Sequence, residues 1–79
     1  ANKQLDQIRL LERIIDEDEL PESVKEAIFL RKTYPEASLS ELSELSKKHF
    51  NKQISKSGLN HRFRAITKRV GKIMEAYNE

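Results

Sequence analysis

Apolar residues in this chain recur at helical spacing, and no stretch alternates long enough to form a strand. Leu5, Ile8, Leu11 and Ile15 make one stripe, which predicts a first helix over residues 2–16. Leu10 and Ile14 make a second stripe on the other side. That helix therefore either lies between two partners or pairs with another chain. An acidic break, Asp16-Glu17-Asp18-Glu19, follows it. Pro21 suits the first position of a second helix, where its missing N–H costs nothing. This helix runs to about Tyr34, with Val24, Ala27, Ile28 and Tyr34 as its core face, and Pro35 stops it. Phe29 points away from that face, as an ordinary exposed apolar residue or as a partner contact.

Ser38 and Glu41 have the capping-box spacing, and they open a third helix that carries Leu39, Leu42 and Leu45 inward and ends near Lys48. A short polar connection, residues 49–53, leads to a fourth helix starting at Ser55. Ile54 and Leu59 are spaced as a hydrophobic staple across its first turn. Leu59, Phe63, Ile66, Val70 and Ile73 then form a single seam, ending near Tyr77. Gly71 interrupts this helix at a cost of about 1 kcal/mol against alanine, so a bend or fraying is expected there. The seam serves either one core or a coiled-coil dimer. Its shortness and its phenylalanine favour the core and a monomeric domain. The fold class is thus all-α: a small four-helix domain containing a helix-turn-helix, with a long basic helix on the C-terminal side.

The chain has 79 residues, 35% of them charged, and no cysteine. That size allows one small domain. Its parts are a leading helix (1–18), a helix-turn-helix core (20–68) and a C-terminal helical extension (69–79). The absence of cysteine excludes disulfides, thiol catalysis and thiolate zinc sites. His49 and His61 stand twelve apart without further ligands, too few for zinc. No metal or cofactor is expected. There is no phosphate-loop glycine pattern and no nucleophile with a base and an orienter, so no enzyme is expected either. No apolar run is long enough for a membrane span and no signal peptide is visible, which points to a cytoplasmic, nucleoid-associated protein. The start at Ala1 rather than Met is that of a fragment of something longer.

The formal net charge of +2 hides a division. Residues 1–44 carry eleven acidic and six basic side chains, a balance of −5, while residues 45–79 carry two and nine, a balance of +7. Charge alone fits a solvated face or a surface for polyanions equally well. Position on the fourth helix changes that balance. At about 100° per residue, Ser57, His61, Arg64 and Lys68 fall within about 40° of the point opposite Leu59, and Asn60 flanks them. Arginine can grip guanine with two bonds, and asparagine can grip adenine likewise. No acidic residue lies between Leu45 and Met74, whereas a face that only confers solubility mixes signs.

Ser57, Asn60, His61 and Arg64 are therefore the candidates for reading bases. Ser55, Lys56, Gly58 and Lys68 are candidates for phosphate, the first three at the positive end of the helix dipole. Lys47, Lys48 and Lys52 would flank the groove as further phosphate contacts. The plainer alternative is that Ser55 only caps the helix and Gly58 only packs close to the third helix. Arg62 lies near the core edge and is expected to pair with the acidic first half. A short helix, a brief turn and a longer basic helix with its polar groups in the first turns is the order of a helix-turn-helix, whose second helix enters the major groove. Double-stranded DNA is the expected partner. The other reading is a protein-interaction module that docks a transcription-machinery protein through the leading helix.

Three blocks are more specific: Leu20-Pro21-Glu22-Ser23, the run from Tyr34-Pro35-Glu36 to Ser40-Glu41-Leu42, and Ile54-Ser55-Lys56-Ser57-Gly58-Leu59-Asn60-His61-Arg62-Phe63-Arg64. With them, about residues 2–70 resemble the C-terminal helix-turn-helix domain of the WhiA family. That resemblance implies a bacterial DNA-binding transcription regulator tied to sporulation and cell division. It also implies similarity to the promoter-binding region 4 of sigma factors. A larger domain, like a catalytically inactive LAGLIDADG homing endonuclease, would precede this one in full-length members. The chain departs from the family pattern at Ser43, where glycine is usual, and at Phe29, where a polar residue is usual. Residues 47–53 also lack the glycine or proline often found before the Ser-Lys-Ser-Gly block.

Overall fold

The computed structural model describes residues 3–77. Four helices follow one another: α1 (Lys3–Ile14), α2 (Glu22–Thr33), α3 (Leu39–Phe50) and α4 (Lys56–Tyr77). The described residues contain no strand, and the all-α expectation holds. Asn2, the expected start of the first helix, lies outside the described residues. α1 ends at Ile14, and the acidic run leaves the helix to form a single 3-10 turn, Glu17–Glu19.

Pro21 is the N-cap of α2 and not its first helical residue. Its ψ of 149° is extended, while its carbonyl accepts from the amides of Val24 and Lys25 at 3.0 and 3.1 Å. Proline's fixed φ fits both positions, so only ψ distinguishes them. α3 is closed at its start by the expected box. The Glu41 amide donates to Ser38 Oγ at 3.2 Å, and the Ser38 amide donates to Glu41 Oε1 at 3.0 Å. Those bonds hold the Glu41 carboxyl below its usual pKa. α3 runs to Phe50, two residues past the expected end.

α4 packs on all three other helices. Leu59, Phe63, Ile66 and Val70 are buried within this chain's own core, together with Ile8, Leu11, Leu20, Val24, Ala27, Ile28, Leu30, Leu42 and Ile54. The seam on α4 is thus intramolecular. α4 also continues through Gly71, where a Cβ would meet nothing within 4 Å. α2 touches α1, α3 and α4, and for that reason it buries Leu30 and Arg31 beyond the expected face. Tyr34 is only half-buried. On the second stripe of α1, Leu10 packs partly against the core while Ile14 stays exposed.

Arg31 is the unexpected member of the interior, 4% exposed. Its Nη1 donates to three carbonyls of the loop between α2 and α3: Tyr34 at 3.4 Å, Pro35 at 3.3 Å and Ala37 at 2.6 Å. Its guanidinium carbon lies 5.5 Å from the centre of the Phe63 ring. Burial lowers the Arg31 pKa, and the Glu36 carboxylate partly opposes that shift.

The turn between α3 and α4 contains no glycine. Asn51 takes the left-handed conformation that usually calls for one, at φ 59° and ψ 19°, and its amide donates to Lys47 O at 3.2 Å. Asparagine is the commonest substitute for glycine at this helix-terminating position. Asn51→Gly is expected to leave stability within about 0.5 kcal/mol of the parent, and Asn51→Val to cost about 1–2 kcal/mol. Thermal melts of the two variants check this.

Candidate nucleic-acid interface

The interface begins at the elbow between α3 and α4, which is fixed from inside. Ser43 and Ser46 lie on the same stripe of α3 as Leu39 and Leu42, and both are buried. The Ile54 amide donates to Ser46 Oγ at 2.8 Å, and the Ser43 hydroxyl donates to Ile54 O at 2.6 Å. Ser46 also donates to Ser43 O at 2.6 Å. Both backbone polar groups of Ile54 are therefore satisfied by two serines one turn apart, as burial requires. The Ile54 side chain joins the core beside Leu59, the two residues expected to form the staple.

Immediately after this anchor, Ser55 caps α4. Its hydroxyl accepts from the Gly58 amide at 3.0 Å, and its carbonyl accepts from Leu59 at 2.9 Å. The Gly58 N–H is thus already bonded. Of the first three amides of α4, those of Lys56 and Ser57 are left for an outside acceptor. A Cβ on Gly58 would approach Ser55 Oγ to 3.0 Å and Ile54 Cγ2 to 3.5 Å. The close approach at this glycine is to the cap itself and not to α3.

Along α4, Ser57, Asn60, His61, Arg64 and Lys68 are all exposed, on the side away from the buried seam. Ser55, Lys56, Lys47, Lys48 and Lys52 are exposed too, and Gly58 is half-buried. Among the described residues, Arg64, Lys68, Lys47, Lys48 and Lys56 have no ion-pair partner. A row of unpaired cations and amides on a rigid helix can bond base edges and phosphate oxygens without first breaking internal contacts.

Two cations behave differently. Arg62 pairs with Glu26 of α2 at 3.0 Å and donates to Ser23 O at 3.2 Å, as its place at the core edge predicts. Lys52, expected among the phosphate contacts, pairs with the other oxygen of Glu26 at 3.2 Å. Its sequence neighbourhood carries no acidic residue and gives no sign of that partner.

Phe29 lies in an aromatic patch at the surface. Its ring meets His49 edge-on at 5.1 Å and Phe50 at 5.7 Å. The Tyr34 hydroxyl and His49 Nε2 are 2.6 Å apart. His49 belongs to this patch, while His61 faces outward from α4. Among the described residues, no three metal-ligating side chains come together, and no helix is long and apolar enough to cross a membrane.

Three packed helices, the last pair joined by a five-residue turn and the final helix exposing a basic polar face, define a helix-turn-helix domain. Comparison with known proteins narrows the class. Residues 1–70 match the family model described as the WhiA C-terminal HTH domain. The chain is 41% identical over 75 residues to the probable cell division protein WhiA of Enterococcus faecalis, covering 95% of this chain and 23% of that protein. It is 44% identical over 68 residues to the protein of the same name from Clostridium perfringens, covering 86% and 20%. With that of Exiguobacterium sibiricum it shares 41% over 73 residues, covering 92% and 22%. No solved structure matches the chain.

The chain belongs to the WhiA family, as its C-terminal helix-turn-helix domain. The chain spans about one fifth of the length of the relatives it matches.

Proposed function

We propose that this domain binds double-stranded DNA sequence-specifically, as the DNA-reading part of a bacterial transcription regulator of the WhiA type. The helix from Ser55 enters the major groove. Ser57, Asn60, His61 and Arg64 read base edges, and Ser55, Lys56, Lys68, Lys47 and Lys48 hold phosphates. The domain works as one unit over residues 1–79 and binds as a monomer, since the seam of α4 is covered by its own chain. Its place is the bacterial cytoplasm, at the nucleoid. The observation that carries this reading is the unpaired basic and amide face of α4 opposite a seam buried from Leu59 to Val70 and half-buried at Ile73.

Selection of bound sequences from a random duplex pool supplies the site, and a salt titration on that site tests the mechanism. The logarithm of affinity is expected to fall linearly with the logarithm of salt, with a slope of about −0.9 per phosphate neutralised. A flat response between about 50 and 200 mM salt defeats the proposal. Arg64→Ala is expected to weaken the selected site about tenfold while changing scrambled duplex much less, as loss of one base contact would. Docking of a transcription-machinery protein on α1 is a second reading, favoured by Ile14, which remains 37% exposed on the outer stripe.

A further inference from the structure

We propose that Glu26 is a positioning residue for DNA recognition: it sets the roll of α4 through Arg62 and withholds Lys52 from the phosphate backbone. This rests on the DNA-binding reading above.

Glu26 belongs to α2 and is 9% exposed. Each of its oxygens takes a different cation: Oε1 holds Arg62 Nη1 at 3.0 Å, and Oε2 holds Lys52 Nζ at 3.2 Å. Lys52 lies in the turn and Arg62 in the second turn of α4, so one carboxylate grips both parts of the reading unit. Arg62 is adjacent to His61 and two residues from Arg64. A side chain held at its tip restrains the rotation that the buried seam leaves to its helix, and with it the direction of its neighbours.

The two cations are held unequally. Arg62 is 20% exposed in its side chain and keeps a second bond to Ser23 O, whereas Lys52 is 58% exposed and Glu26 is its ion-pair partner. Neutralising Glu26 therefore frees Lys52 to swing toward a phosphate. Arg62 stays near its place but loses the contact that defines its angle. Glu26 thus weakens the sequence-independent attraction to DNA and sharpens the sequence-dependent part.

The test compares the 79-residue chain with Glu26→Gln on the selected duplex and on a scrambled one, across a salt series. Glu26→Gln is expected to bind scrambled duplex more tightly, with a salt slope steeper by about 0.9, the value for one added phosphate contact. Its preference for the selected site is expected to fall about fivefold, as when one base contact is misaligned. Glu26→Asp, which keeps the charge, should restore the parent slope. Lys52→Ala should leave the slope unchanged in the parent chain and remove the added slope in Glu26→Gln.

A helical Glu26→Gln with the parent's slope and preference overturns the proposal. So does an equal weakening on both duplexes at constant slope, which is what mere loss of support would give. If Glu26→Gln loses its helical circular dichroism, the Lys52→Ala arm decides: a slope reduced by about 0.9 in the parent chain shows Lys52 already on phosphate and overturns the proposal. A parent chain whose binding ignores salt overturns the DNA-binding reading itself.

Discussion

Replacing Arg31 with alanine is expected to lower the free energy of unfolding by about 3–4 kcal/mol, read as a shift of the urea midpoint at constant m-value. A domain of this size has a total of about 4–12 kcal/mol, so the loss takes from about a quarter to nearly all of it. The effect is large because Arg31 works through geometry that a smaller residue cannot reproduce. One guanidinium nitrogen gathers three carbonyls of the loop between α2 and α3, and the guanidinium carbon sits over the Phe63 ring on the seam of α4, 5.5 Å from its centre. Alanine would take away the 2.6 Å bond to Ala37 O, while Tyr34 O keeps the Ala37 amide at 3.2 Å, and would leave a void beside Phe63. Arg31→Met fills the void and is expected to recover about 1 kcal/mol of the loss, since only the packing returns. Arg31→Lys keeps the charge but not the planar group over Phe63, and should fall between the two. A loss under about 1 kcal/mol for Arg31→Ala would show that the loop is held by other contacts.

Ser46→Ala is expected to cost about 2–3 kcal/mol, because it leaves the buried Ile54 amide without an acceptor. The matching change Ser43→Ala removes the donor to Ile54 O and should cost less, about 1 kcal/mol, since an under-satisfied carbonyl is better tolerated than an orphaned N–H. Chemical denaturation separates the two. The functional consequence differs from that of Arg31. Ile54 is the last residue before the Ser55 cap, so releasing it loosens the angle at which α4 leaves the elbow. Ser46→Ala should therefore reduce affinity for the selected duplex more than affinity for scrambled duplex, at temperatures where the variant is still folded. Equal losses on both would mean that the elbow angle does not govern reading.

The helices were legible because their apolar spacing is strict and their punctuation is strong. Ser38 with Glu41 marked the start of α3, and Pro35 marked the end of α2. The exposed face of α4 followed from the seam, since a helix with one buried stripe must present the opposite one. What stayed illegible were contacts made by polar residues whose partners are distant in sequence. Arg62 pairs with the acidic first half as its place at the core edge predicts, but nothing in the sequence singles out Glu26 as the partner or joins Lys52 to it. Nothing in the sequence marks Arg31 for the interior, since charged residues are seldom buried. The serine pair was legible in part. Ser43 and Ser46 share a stripe with Leu39 and Leu42, and two hydroxyls on a core stripe must find partners, but their position does not say which backbone groups those are. Asn51 was legible in principle: without a glycine in residues 47–53, an asparagine is the next candidate to take φ above zero.

The elbow has a consequence for how such a domain can diverge. Its angle is set by Ile54 and two hydroxyls beneath the surface, so the outward side chains at Lys47, Lys48 and Lys56 carry none of the architecture. Those positions are free to drift in sign, length and hydrogen-bonding chemistry from one lineage to another without a folding penalty. On the proposed reading, the sequence-independent grip on duplex DNA can thus be retuned by substitutions that leave the scaffold untouched.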